Sequence, residues 1–386
     1  MKVLLIHNHY SVNGGEDIVY FNELNALKKI LKDENVYEYR VSNNDKSKFE
    51  IITNIFFSKP IYREVYALVK KNNIQIVHVH NFFPILTGSV FKAAKDAGAK
   101  VVHTLHNYRW WCICGDFYRA SSGICTLCTQ KKTFLSGIKY KCYRKSYLQS
   151  IIAQLAFWYY KKSNVFKYID QFIVLSIFQK NTIIQLGVDE SKITLKSNML
   201  KSIQPINQVI KKDYLFVGRL DHTKGIELLL AVWTTLPTHF KLIVAGSGIL
   251  EQSLREKYIA NQQIIFKGEL SHQSILTLMS SAKYTIQSSL LYETFGLTIV
   301  ESMGLGTPVI GFDIGTRPEM IQDGVTGFIC SPEKLATTLL YADNYSNYGL
   351  LSKNAKQYAE QFSEVNIMQS QLLLYNRLLS NLPIGE

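Results

Sequence analysis

Short apolar runs separated by helical stretches recur along this chain, the pattern of a parallel sheet covered by helices. In the first half, Val3–Ile6, Ile76–Val79, Val101–Thr104 and Phe172–Leu175 read as strands. In the second half the strands are Tyr214–Val217, Lys241–Ala245, Ile264–Phe266, Tyr284–Gln287 and Val309–Gly311. The stretch 199–212 between the two sets has little periodicity, contains Pro205 and two adjacent lysines, and reads as a linker. The tail 363–382, with Ile367, Leu372, Leu374, Leu378 and Leu379, predicts a final helix. At 386 residues the chain is long for one core. Two α/β domains are therefore expected, 1–200 and 211–362, followed by a helical segment 363–386.

Ligands of doubly wound sheets bind beyond the carboxyl ends of the strands. The loops in that position are Asn8–Glu16 and His106–Arg109 in the first half, and Gly218–Gly225 and Gly246–Gly248 in the second. Two such domains facing each other would bring these loops to one cleft.

Nearly half of the residues are apolar, with no low-complexity tract and no fixed repeat, so the chain is an ordered globular protein. The N-terminus meets polar residues too early for a signal peptide, and no run of about 20 apolar residues occurs. A cytoplasmic location is expected. The formal charge of +13 is concentrated: between Phe117 and Ile169 lie ten Lys or Arg and no acidic residue. Tyrosines and Trp158 interleave them, and Leu148, Ile151, Ile152, Leu155 and Trp158 fall at helical spacing before Lys161 and Lys162. Such a face suits an anionic membrane surface, here the inner face of the cytoplasmic membrane. An amphipathic helix packed on its own domain has the same pattern. Nucleic acid is disfavoured, because the apolar face is large and no nucleic-acid motif accompanies it.

Glu293 and Glu301, with seven residues between them, bracket Gly296-Leu297-Thr298-Ile299-Val300, which reads as a helix start. In a continuous helix they would lie about 12 Å apart along the axis. That exceeds the roughly 5–10 Å of a paired-carboxylate hydrolase. It suits a ligand with two polar ends and a phosphate between them, held at the helix start; two solvated glutamates are the plain alternative. Gly218-Arg219 with Lys224-Gly225 follows a strand, where guanidinium and ammonium groups can clamp a diphosphate; a pair of surface cations is the plain alternative. Gly14-Gly15 before a helix, and Gly246 and Gly248 after a strand, allow a phosphate or a base to approach, or are simply turns. Gly315-Thr316-Arg317-Pro318-Glu319 adds a loop with a carboxylate.

In this order the motifs resemble retaining glycosyltransferases of family 4, which have the GT-B fold. The resemblance implies that Arg219 and Lys224 hold the donor diphosphate and that Glu293 contacts the transferred sugar. It places Glu301 on the nucleotide ribose, and backbone groups of Phe295, Gly296, Leu297 and Thr298 on the phosphates. His106 matches the family's N-domain histidine near the reacting sugar; Asn107 stands where many members have Asp. The family's last helix often returns to the first domain. By resemblance the donor is a nucleotide sugar, UDP- or GDP-linked, and the acceptor a glycan or lipid-linked hydroxyl in surface polysaccharide assembly. Transfer proceeds with retention, and cations take the place of a catalytic metal. No organic cofactor is expected.

Cys112, Cys125, Cys128 and Cys142, with twelve residues between the first two and thirteen between the last two, permit a four-thiolate structural zinc site. Buried unliganded thiols and redox chemistry are the alternatives. The stretch from His106 to Cys142 also resembles a cysteine-rich insertion found in a subset of the family. Rival functions are a GT-B sugar-nucleotide epimerase, a non-catalytic nucleotide-sugar sensor and a nucleic-acid binder.

Overall fold

A computed structural model describes residues 1–9, 14–131, 133–201 and 211–380. Most of the expected linker, Lys132 and Leu382 lie outside the described residues.

Chain order gives β1 (Val3–His9), β2 (Val36–Ser42), β3 (Ile76–Asn81) and β4 (Lys100–Thr104). An antiparallel ribbon follows, β5 (Tyr118–Arg119) with β6 (Gly123–Ile124), then β7 (Gln171–Val174) and β8 (Ile193–Leu195). The second half contributes β9 (Tyr214–Val217), β10 (Leu242–Ala245), β11 (Ile264–Gly268), β12 (Tyr284–Gln287), β13 (Val309–Phe312) and β14 (Gly327–Cys330). The strands form two parallel six-stranded sheets, ordered β2-β1-β3-β4-β7-β8 and β11-β10-β9-β12-β13-β14.

The chain divides into two compact units. The first is Met1–Phe117, Thr126–Met199 and Glu364–Glu386; the second is Tyr118–Cys125 and Leu200–Ser363. The β5–β6 ribbon sits inside the segment expected to belong to the first domain. It groups instead with the second unit, where the Tyr118 hydroxyl donates to the His222 carbonyl at 3.4 Å.

Central strands are buried on both faces and so read as unbroken apolar runs. Val3, Leu4, Leu5 and Ile6 of β1 are all inaccessible, as are Ile76, Val77 and Val79 of β3. Phe83, Phe91, Phe157, Tyr160 and Phe172 fill the first core. Trp233, Phe240, Tyr214, Tyr284 and Phe312 fill the second. The strands not expected from the sequence are β2, β8, β14 and the ribbon. The first three close sheet edges; in β2 the partly exposed Glu38 and the exposed Arg40 interrupt the apolar signal, whereas β14 is short, with Gly327, Phe328 and Cys330 buried.

The helix Gly15–Leu31 follows β1, with Glu16 and Asp17 in its first turn and Lys28 and Lys29 in its last, both favourable to the helix dipole. Ser146 starts the helix Tyr147–Lys162 by accepting from the Gln149 N–H. Among the described residues no helix is long and apolar enough to cross a membrane.

Candidate functional site

In the second sheet the order of strands reverses between β9 and β12, the position where such sheets receive ligands. The loop after β9 carries Arg219 and Lys224; the loop after β12 carries Ser289 and Glu293. The two loops are laced together. The Leu290 N–H donates to the Thr223 carbonyl at 2.8 Å, and the Ser288 hydroxyl donates to the Lys224 carbonyl at 2.9 Å. Gly225 sits at φ 65°, and a Cβ there would lie 2.0 Å from the Ser288 carbonyl oxygen. Glycine at that position is what lets the backbones meet.

The lacing brings Lys224 and Glu293 into contact. Glu293 Oε1 accepts from Lys224 Nζ at 2.6 Å and from the Ser289 hydroxyl at 2.6 Å. Burial pushes the Glu293 carboxyl up, but Lys224 and then Arg317 oppose this, and its pKa falls to about 2. Glu293 is therefore ionised at any physiological pH. Arg317, 1% exposed, donates from Nε to the Phe312 carbonyl at 3.0 Å and from Nη2 to the Ser289 carbonyl at 2.6 Å. Its Nη1 is buried without a hydrogen-bond partner. Arg219 is different: its side chain is 69% exposed and its Nε lies 3.3 Å from Asp221 Oδ2.

Beyond Glu293, Gly296 caps the helix Leu297–Gly304. The first N–H groups of a helix have no partner within it and point outward as anion donors. Phe295 is buried, its carbonyl accepting from the Thr316 hydroxyl at 2.6 Å, and Thr298 Oγ1 accepts from Gln287 at 2.9 Å. Glu293 precedes the helix and Glu301 lies within it, so the pair does not share one helical axis. Glu301 Oε1 meets His272 Nε2 at 2.8 Å, and that hydrogen bond, more than any other influence, raises the His272 pKa. Gly246, at φ 134°, follows β10; a Cβ there would fall 2.0 Å from the Gly218 carbonyl oxygen, so Gly218 and Gly246 bind their two loops together. Gly248 lies two residues further along the same loop.

Gly14, Gly15 and His106 belong to the first unit. Gly14 caps the first helix, and its N–H donates to Asp17 Oδ2 at 2.7 Å. A Cβ on Gly15 would meet nothing within 4 Å. His106 Nε2 lies 3.0 Å from His80 Nδ1, and burial holds the His106 imidazole neutral, its pKa well below the ordinary value. Asn107 donates to Glu16 Oε1 at 2.8 Å.

Sequence reasoning missed the ionic core of this unit. Glu23, 1% exposed, accepts from Lys196 Nζ at 2.6 Å and from Gln371 Nε2 at 2.5 Å, and lies 3.0 Å from His78 Nδ1. Nearby, His7 Nε2 and His9 Nδ1 converge on Asp17 Oδ1 at 2.9 and 2.7 Å. The available signal was His78 and His80 alternating in an otherwise apolar strand. Arg317 was missed as well, because the loop containing it was read for the Glu319 carboxylate.

The six cysteines form no disulfide. Structural zinc needs four sulfurs about 2.3 Å from one point. Cys112 Sγ lies 3.3 Å from Cys114 Sγ. Among the described residues, the groups of three metal-capable side chains are His7/His9/Asp17 and Glu23/His78/His80; neither includes a cysteine.

Residues 202–362 match the family described as glycosyl transferases group 1, and residues 32–199 match glycosyltransferase family 4. An uncharacterised glycosyltransferase of Methanocaldococcus jannaschii is 30% identical over 43% of this chain and 45% of its own length. The phosphatidylinositol N-acetylglucosaminyltransferase gpi3 subunit of Schizosaccharomyces pombe is 26% identical over 74% of this chain and 56% of its own. The chain thus spans about half the length of these two curated relatives. Among solved structures, the Anabaena protein HepE in complex with UDP superposes with a TM-score of 0.69 at 16% identity, covering 97% of this chain and 100% of that one. With its two parallel-sheet units, the chain therefore has the GT-B fold and carries a glycosyltransferase family 4 domain followed by a glycosyl transferases group 1 domain.

Proposed function

We propose that this protein is a retaining glycosyltransferase that moves a sugar from a nucleotide-sugar donor to a hydroxyl of a glycan or lipid-linked acceptor. The observation that carries this reading is the contact of Lys224 with Glu293 at the β9/β12 switch point, next to the start of the helix Leu297–Gly304. Cations and helix N–H groups converge there with an ionised carboxylate, which is what a diphosphate joined to a sugar requires. Lys224 and the exposed Arg219 receive the departing diphosphate, Glu293 orients sugar hydroxyls, and Glu301 meets the ribose. The acceptor oxygen attacks from the leaving-group side, where the phosphate takes its proton, so Glu293 forms no covalent bond to the sugar. UDP and UDP-glucose in crystal structures of the Anabaena relative support a uridine-nucleotide donor.

Sugar nucleotides with UDP, GDP, dTDP and ADP heads are the probes. Binding to the native state raises the melting temperature by mass action. At least one is expected to raise it and, with acceptor, to yield product of unchanged anomeric configuration by NMR. If none raises it, or if the donor is epimerised without acceptor, the reading fails.

A further inference from the structure

The first unit contains a cavity of about 700 Å³ that the donor site does not use. Rings of Trp110, Trp111, Phe134, Phe157, Trp158 and Phe166 wall it. Its size is within the roughly 300–1,000 Å³ of ligand pockets. The rings are held in place: Trp110 stacks on Phe82 with centroids 4.5 Å apart and donates its indole N–H to His103 Nε2 at 3.1 Å. The rings give the space an apolar side.

Thr129, Thr133, Gln154, Lys161, Asn164 and Gln185 make part of the wall polar, and two of them narrow the guest. Gln154 buries its Oε1 with no hydrogen-bond partner, and a buried acceptor is costly unless something supplies a donor. Lys161 brings a cation to the wall, on an exposed residue that marks the rim. A nucleoside diphosphate would call for more charge than this. A hydrocarbon chain with a hydroxylated, singly anionic head matches rings, amide oxygen and ammonium together.

The surroundings say where such a guest comes from. The helix Tyr147–Lys162 that provides Gln154, Phe157, Trp158 and Lys161 also leaves Leu148, Ile151 and Leu155 exposed. Trp158 belongs to both features, lining the cavity while more than half exposed, with Lys162 Nζ 5.0 Å from its ring. An apolar stripe edged by lysines is the pattern of a segment lying at a lipid interface.

We propose that this cavity takes one hydrocarbon chain of a membrane lipid phosphate, with the chain among the rings, the phosphate at Lys161 and a head-group hydroxyl on Gln154 Oε1. This binding requires neither donor nor turnover, so it stands or falls separately from glycosyl transfer.

Three of the four tryptophans line the cavity, which makes intrinsic fluorescence a local reporter. Lauroyl lysophosphatidylglycerol, titrated below its micelle concentration into the full chain, is expected to shift the emission to saturation. Lys161→Glu should weaken binding by roughly tenfold or more, since each lysine near an anionic lipid contributes a severalfold effect. Thr133→Phe, which adds a ring to the wall, should abolish the shift. Should Thr133→Phe fail to fold, Lys161→Glu at an exposed position still decides. An emission change that never saturates overturns the proposal, as does equal affinity for lauroyl lysophosphatidylcholine. So does unchanged binding by Lys161→Glu, or a full shift with glycerol phosphate alone.

Discussion

Glu293 is held by three groups of different kinds: the Lys224 ammonium, the Ser289 hydroxyl and the field of the buried Arg317. Its pKa of about 2 lies below the ordinary 4.5, so between those values the folded state binds fewer protons than the unfolded one. Stability therefore rises with pH across that window. The contribution is complete above about pH 4.5, is lost as pH falls towards 2, and amounts to about 2–3 kcal/mol for a mostly buried pair. Glu293→Gln should flatten the dependence of melting temperature on pH in this interval; an unchanged slope would show that the pair does not couple to folding. The same pair has a catalytic counterpart. Lys224→Ala should reduce transfer about a hundredfold or more, near 3 kcal/mol, the magnitude for removing one donor to developing negative charge. Wild-type turnover by that variant would remove Lys224 from the proposed mechanism.

At the scale of elements, the helix Glu364–Ser380 is fastened to the first unit by a polar cluster in an otherwise apolar setting. Gln371 links Glu23 on the first helix to Lys196 beyond β8, and Tyr375 Oη lies 2.7 Å from His78 Nδ1 on β3. Removing one partner of a buried ion pair leaves the other uncompensated. Lys196→Met should cost about 3–5 kcal/mol in denaturant unfolding, and Lys196→Met with Glu23→Leu should recover most of it. Additive losses in the double variant would refute coupling between the two. This cluster explains what the sequence could and could not convey. Interior strands were legible because burial on both faces writes an apolar run, whereas the edge strands β2 and β8 have mixed faces and β14 is a mostly buried run of only four residues that begins with a glycine. Lys224 and Glu293 were legible because each sits in a local motif at the end of a legible strand. Ser289 and Arg317 were not, since their roles come from burial against Glu293. Glu23 and Lys196 are 173 residues apart in the chain, and no local pattern announces such a pairing.

For the molecule as a whole, the charge of +13 matters most where it adjoins exposed apolar surface. Lys139, Lys141, Arg144, Lys145, Lys161, Lys162 and Lys167 all lie in the first unit, on or beside the helix whose Leu148 is 65% exposed. Lys141 Nζ sits 4.4 Å from the ring of Tyr147 at the start of that helix, so cations flank aromatic rings at both ends. We propose that this face rests on an anionic bilayer. Each lysine near such a surface contributes about 1 kcal/mol, and the attraction decays within a Debye length of about 10 Å at 0.1 M salt. The protein should therefore float with vesicles containing phosphatidylglycerol, bind pure phosphatidylcholine weakly, and detach progressively as salt rises. Lys161→Glu with Lys162→Glu should weaken binding at low salt and flatten its dependence on salt, because fewer cations meet the surface. Leu155→Asp should remove the part of binding that persists at high salt, because that residue offers apolar area and no charge. A nucleic-acid partner would give the same salt response but no dependence on Leu155, so flotation of Leu155→Asp equal to wild type at high salt would take the apolar stripe out of the interface.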